Sequence, residues 1–244
     1  MISIVIPAKN EERYILDCLR SIIGQNCLEK VEITVVDNNS TDNTHNLVLE
    51  NFPSVKLVRE PVAGTNSARQ RGFLESRGEI IVFLDADVRL PEGWIAKMSA
   101  KLASSPKLVA VSGPYKFYDF TWYWNWGNEI LLYAFVIPWS FISSNIFRTA
   151  GYLLGGSMVI RKQALERIGG FNTRLKFFGD EIDTAKRLRI FGRIEFCGDL
   201  WVYSSARRYN KKGVFATLLT YWLNYFWIIV TKHPYHKDTA QIVR

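Results

Sequence analysis

The first half of the chain alternates between short apolar, β-branched runs and longer amphipathic stretches. Ile2–Ile6, Val31–Val36 and Glu79–Leu84 each close at a turn-former or an acid, and Val55–Val58 closes at Arg59-Glu60. Such nearly unbroken apolar runs fit strands covered on both faces, the habit of parallel sheets. Between them, helical patterns cover about residues 12–23, 42–50 and 67–76. This alternation predicts an α/β architecture: a doubly wound, mostly parallel sheet flanked by helices.

Open sheets of this kind bind ligands beyond the carboxyl ends of their strands. The residues at those positions are strongly polar: Pro7-Ala8-Lys9-Asn10-Glu11-Glu12 after the first strand, Asp37-Asn38-Asn39-Ser40-Thr41-Asp42 after the second, and Asp85-Ala86-Asp87 after the fourth. Each cluster also has a purely structural reading. Ser40 or Thr41 is expected to cap the second helix, Asn10 and Glu11 could mark a helix start, and Asp85 and Asp87 could form a solvated turn before Pro91. Three clusters on one edge of one sheet point instead to a shared site.

Two carboxylates two residues apart at the mouth of an apolar strand are costly unless they share a cation. Magnesium or manganese takes oxygen ligands, commonly one or two carboxylates together with substrate phosphates. Asp85 and Asp87 therefore suit a nucleotide diphosphate held through a divalent ion. The ion would stabilise the charge that gathers on a departing diphosphate.

Taken together, these residues resemble glycosyltransferase family 2 and its GT-A fold over about Ile2 to Arg208. The matching stretches are Ile4-Val5-Ile6-Pro7-Ala8-Lys9-Asn10-Glu11, Val35 to Asp42, Gly64-Thr65-Asn66-Ser67-Ala68-Arg69-Gln70-Arg71-Gly72, Asp85-Ala86-Asp87, and Gly155-Gly156-Ser157 through Arg161 to Gly169-Gly170-Phe171. The resemblance implies an inverting transferase acting on a UDP- or GDP-linked sugar donor. It places Pro7, Ala8 and Glu11 in the nucleoside pocket, with Asp37 accepting a ring N–H of the base. Arg69 would face the diphosphate, Asp85 the ribose or sugar, and Asp87 the metal.

Inversion requires a general base on the acceptor side. The family usually supplies it from a Glu-Asp pair at a helix start; here the order is reversed, Asp180-Glu181, ahead of Asp183 and Arg187. Aligning on Asp183 and Arg187 puts Glu181 in the base position, with Asp180 as the alternative, and both acids could instead serve the positive end of the helix. A donor-binding relative that has lost its chemistry is the corresponding rival reading. The metal-completing His of many relatives has no counterpart in Val202-Tyr203-Ser204-Ser205-Ala206. Gly156 is placed on the acceptor or diphosphate side, as are Arg207 and Arg208, whose Arg207-Arg208-Tyr209 distantly resembles the Arg-Trp motif of processive members, with a solvated basic turn or a patch binding lipid phosphate as equal alternatives.

Composition adds a second theme. Of the eight Trp only Trp94 lies in the first hundred residues, and the aromatic residues crowd into 117–147 and 203–235. No charge interrupts Ile130–Phe147 or Val214–Thr231, while Lys211, Lys212 and Lys232 flank the second run. Interfacial helices at a membrane surface fit this arrangement, with burial in an oligomer and a true span as alternatives. The expected organisation is a catalytic domain at 1–208, carrying an aromatic-rich insertion at about 117–150, and an apolar helical membrane-associating tail at 209–244. The net charge of +8 is consistent with an anionic lipid or nucleotide partner. The expected acceptor is lipid-linked or a glycan.

A nucleic-acid binder should interleave its aromatics with Lys and Arg, and this chain does not, so no nucleic acid partner is expected. A dinucleotide-binding Rossmann protein should carry glycines after its first strand, and Pro7 to Glu11 has none. Cys18, Cys27 and Cys197 lack metal-ligand spacing and suit free thiols in a reducing compartment. The first strand follows Met1 directly without a leader pattern, which predicts the cytoplasmic face of a membrane.

Overall fold

The computed structural model describes residues 1–138, 142, 152–175, 179–214, 216, 217, 220 and 223. Its first half follows the expected alternation: β1 (Ile2–Ala8), α1 (Ile15–Ile23), β2 (Val31–Asp37), α2 (Thr44–Asn51), β3 (Lys56–Arg59), α3 (Thr65–Glu75), β4 (Ile80–Leu84) and α4 (Trp94–Ala103). Then come β5 (Leu108–Ser112), β6 (Tyr115–Phe117), α5 (Trp122–Leu131), a π-helical turn Leu132–Val136, and β7 (Ser157–Arg161). The last elements are α6 (Lys162–Arg167), α7 (Asp180–Leu188), β8 (Arg193–Phe196), β9 (Val202–Ser204) and α8 (Arg207–Lys212). This last helix runs across the domain boundary drawn after residue 208. Residues 139–141 and 143–151 of the insertion, and most of the uncharged run Val214–Thr231 and of the tail, lie outside the described residues.

Seven strands form the main sheet in the order β3-β2-β1-β4-β7-β5-β8. β1 pairs in parallel with both β2 and β4, and β2 with β3. Because the chain winds outward from β1 in both directions, the carboxyl ends of β1, β2 and β4 open a crevice at that switch point. β7 is antiparallel to both β4 and β5, whereas β5 and β8 are parallel. Alternation of side chains sends Ile2, Ile4, Ile6 and Ala8 to one face and Val5 to the other. The first face packs on α1, α2 and α4, the second on α3, α6 and α7.

Two local expectations are corrected. β3 is an edge strand with half of its residues exposed rather than a buried one, because among the described residues no strand pairs beyond it. Nor do Ser40 and Thr41 cap α2: Asp42 accepts the Thr44 N–H at 3.0 Å and its hydroxyl at 2.6 Å. Ser40 is drawn away instead to accept the Asn10 N–H at 3.0 Å.

A second, two-stranded sheet pairs β6 in parallel with β9. Trp94 is fully buried, and its indole N–H donates to Leu200 O at 3.1 Å, fixing the loop that leads into β9. The small sheet thereby carries Tyr115 and Arg207 towards the crevice.

Candidate active site

The crevice is built by loops that hold one another. Asn10 and Asn39 adopt left-handed backbone (φ 56° and 61°), which Asn tolerates better than most side chains. Asn10 Oδ1 accepts the Thr41 N–H at 2.8 Å, and Glu11 N–H donates to the Thr44 hydroxyl at 2.7 Å. Asn38 ties in the third loop, donating to Glu60 O and Val62 O and accepting the Gly64 N–H at 2.9 Å. The polar clusters after β1 and β2 are therefore a scaffold as well as a surface. Asp37 is buried within it: Oδ1 accepts the Ser40 N–H at 3.0 Å, and His45 Nδ1 lies 3.2 Å from Oδ2. Ala8 is buried and Pro7 half-buried beside them.

Arg207 spans the first and third clusters. Its guanidinium forks onto Glu11 with two 2.7 Å bonds, reaches Asp87 Oδ2 at 3.1 Å, and stacks 4.8 Å above the Tyr14 ring. Asp119 holds it there by accepting the Ser205 hydroxyl and the Ala206 N–H, each at 2.5 Å, just before α8 begins. Burial alone would lower the Arg207 guanidinium, but its bonds to Glu11 and the nearby Asp87 outweigh this and raise it. Burial pushes the Asp87 carboxyl up to about 6; Arg207 opposes the shift, while Asp85 and Glu11 add to it. Arg208 is half-buried and lends Asp87 further positive field. An open hollow of about 380 Å³ adjoins Arg207, lined also by Asn10, Tyr14 and Thr41.

Across the crevice a second buried cation organises the acids of α7. Arg69, on α3, bonds Asp180 Oδ2 at 2.5 Å and lies 3.5 Å from Asp85 Oδ1. Glu181 is half-buried and accepts the Gly155 N–H at 3.3 Å. Burial and the adjoining Asp180 carboxylate push Glu181 well above the ordinary range, against the pull of Arg69. The Gly155-Gly156 turn explains its own composition. A Cβ on Gly155 would lie 2.3 Å from Arg69 Nη2, and one on Gly156 would lie 2.7 Å from Asp85 Oδ2. Gly156 N–H donates instead to the Tyr115 hydroxyl at 2.9 Å.

The expected site residues thus gather at one mouth, in two groups: Glu11, Asp87 and Arg207, and Asp85, Arg69, Asp180, Glu181 and Gly156. Sequence reading missed Tyr115, Tyr14, His45 and Asp119. Tyr115 and Asp119 come from short or irregular segments with no periodic signal, Tyr14 stands at the start of the first helical pattern, and His45 sits within a helix as an ordinary polar residue would.

Asp85 and Asp87 offer hard oxygen donors of the kind a divalent ion takes, and Asp85 is 36% exposed at its side chain. No group of three or more His, Cys, Asp or Glu suited to a metal occurs among the described residues. The two carboxylates therefore fit an ion that completes its shell with substrate phosphates and water, as magnesium and manganese do.

Comparison with known proteins agrees with this geometry. The model of glycosyl transferase family 2 matches residues 3–169. A beta-monoglucosyldiacylglycerol synthase of Synechocystis is 26% identical over 203 residues, covering 78% of this chain and 40% of that protein. The chain thus spans about two fifths of that relative's length. Among solved structures, a Pyrobaculum calidifontis mannosyltransferase in complex with GDP-Man and Mn2+ superposes with a TM-score of 0.63 at 24% identity, covering 84% of this chain and 56% of that one. The Mycobacterium tuberculosis glucosyl-3-phosphoglycerate synthase, with Mn2+, UDP and phosphoglyceric acid, gives 0.64 at 20% identity, covering 95% and 78%. These likenesses establish the fold as that of the GT-A enzymes.

Proposed function

The chain belongs to glycosyl transferase family 2, and on that premise we propose that it transfers a sugar from a nucleotide diphosphate donor to an acceptor hydroxyl with inversion. The observation that carries this reading is the convergence of Asp37, Asp85, Asp87 and Glu181 at the carboxyl edge of one sheet, with Arg69 and Arg207 set between them. The nucleotides in the Pyrobaculum and Mycobacterium complexes support a UDP- or GDP-linked donor.

In this reading Pro7, Ala8 and Glu11 line the nucleoside pocket, and Asp37, oriented by Ser40 and His45, accepts a ring N–H of the base. Asp87 would ligate Mn2+ or Mg2+, with Asp85 towards the ribose or sugar; the ion, when bound, supplies positive charge to the departing diphosphate. Arg207, already at Asp87, and Arg208 are the protein's own cations on the leaving-group side. Asp180 is engaged by Arg69 through Oδ2, which favours Glu181 as the base. The acceptor oxygen bonds to the anomeric carbon while the carbon–phosphate oxygen bond breaks. Its proton passes to Glu181 and the electron pair leaves with the diphosphate. The acceptor is a lipid-linked or glycan hydroxyl; the name of the Synechocystis relative supports a lipid.

Calorimetric titration with UDP and GDP, each with and without Mn2+, tests the donor site. One nucleotide should bind in a manganese-dependent way that disappears in Asp87→Ala. Glu181→Gln should keep that binding while turnover falls about 10²–10⁴-fold, the usual worth of a general base. Failure of both nucleotides to bind would remove the basis of the proposal.

A further inference from the structure

We propose that α5, together with the neighbouring α8, forms a docking surface for an anionic phospholipid bilayer. This rests on the outer face of the molecule and not on the transfer reaction. One side of α5 is fastened to the protein: the Asn125 amide donates to Phe117 O at 2.9 Å and accepts the Phe117 N–H at 3.3 Å. Trp124 stacks on Phe120 with centroids 6.1 Å apart, and Phe120 in turn packs against Tyr209 of α8 at 5.6 Å.

The opposite side carries Trp122, Trp126 and Ile130, 79%, 64% and 46% exposed, spaced four apart so that they fall on one stripe. Exposed Tyr123 flanks the stripe, and exposed Tyr133 and Phe135 continue the apolar surface along the π-helical turn. A contiguous aromatic surface of this kind marks a partner.

The chemistry of the surface selects a lipid. Trp and Tyr join an apolar ring to a polar N–H or O–H, the combination found where hydrocarbon meets water. At ten residues α5 is too short to cross a bilayer, and no helix among the described residues is long and apolar enough to do so. It is suited instead to lying in the plane of the interface. Joined to it through the Phe120–Tyr209 contact, α8 carries Lys211 and Lys212 in its last turn. Lysine is depleted in protein–protein interfaces but is attracted to anionic headgroups, so the mixture of rings and lysines favours a membrane over a second polypeptide. The surface also borders the crevice: the Tyr118 hydroxyl, between β6 and α5, donates to Asp87 O at 3.3 Å.

The test is sedimentation of the full chain with neutral phosphatidylcholine vesicles and with vesicles containing phosphatidylglycerol. Anionic vesicles should bind more tightly. Lys211→Gln and Lys212→Gln should each weaken that binding about fivefold, corresponding to about 1 kcal/mol per lysine. Trp122→Ser with Trp126→Ser should weaken it about tenfold or more while the thermal midpoint is retained. Brominated lipids should quench the tryptophan fluorescence of the unaltered protein, a readout that needs no variant. Absence of vesicle binding, equal binding by the Trp variant, or a lipid-free dimer that the Trp variant converts to monomer would overturn the proposal.

Discussion

Arg207→Met removes the guanidinium that joins the loops after β1 and β4 at the crevice while keeping an aliphatic stem over Tyr14. Glu11 and Asp87 are only 4% and 9% exposed, so neither can recover its lost partner from bulk water. Breaking a buried pair by deleting one member costs about 3–5 kcal/mol. Arg207 itself is 25% exposed at its side chain, so partial screening puts the expected loss at the lower end, about 3 kcal/mol. For a chain of this size that is a fall in Tm of roughly 6–12 °C. The attribution is checked by a double-mutant cycle with Glu11→Gln, measured by thermal and urea unfolding. Removing both partners spares the cost of a stranded charge, so the double variant should be more stable than the sum of the single losses by about 2–3 kcal/mol. Additivity within about 0.5 kcal/mol would refute the view that this fork is a structural tie as well as a charge facing the diphosphate.

Gly156→Ala forces a methyl against Asp85 Oδ2 and the Tyr115 hydroxyl, at 2.7 and 2.8 Å. Turnover should fall while stability drops by only about 1–3 kcal/mol, read by kinetics beside urea unfolding. Unchanged turnover would show that Asp85 can move without consequence. Burial alone would raise Asp42, but hydrogen bonds from the Thr44 hydroxyl, the Thr44 N–H and the Glu12 N–H outweigh it and hold the carboxyl below its ordinary value of 3.8. A depressed carboxyl stabilises the fold above the unfolded-state pKa, and that stability is lost as pH falls through the folded-state value. Asp42→Ala should therefore cost about 1 kcal/mol near neutrality, and the gap to the unaltered protein should narrow in acid. A gap that widens in acid would contradict the assignment.

The first four strands were legible because their apolar runs break off sharply, two of them at the acids Asp37 and Asp85 on the crevice edge. The second half was less so. β7 was recognisable only as the stretch from Gly155-Gly156-Ser157 to Arg161, and nothing in its apolar pattern distinguishes a strand inserted antiparallel between β4 and β5 from a parallel one. β6 and β9 are three residues each, too short for a period, so the placement of Tyr115 and Asp119 depends on tertiary contacts alone. The reversed pair Asp180-Glu181 left two candidates for the base. The engagement of Asp180 by Arg69 is a contact across 111 residues that spacing along the chain does not encode.

The tie between Glu11 and Arg207 spans 196 positions, nearly the whole described chain. Synthesis proceeds from the N-terminus, and the early strand–helix units can pair with near neighbours as they emerge. Glu11 and Asp87 must then wait for the last small sheet and α8 before their charge is balanced. A nascent chain halted before residue 207 would present the crevice with its acids facing solution, open to whatever cation the cell supplies. Arrival of α8, and not merely collapse of the sheet, is the event that balances the charge of the crevice.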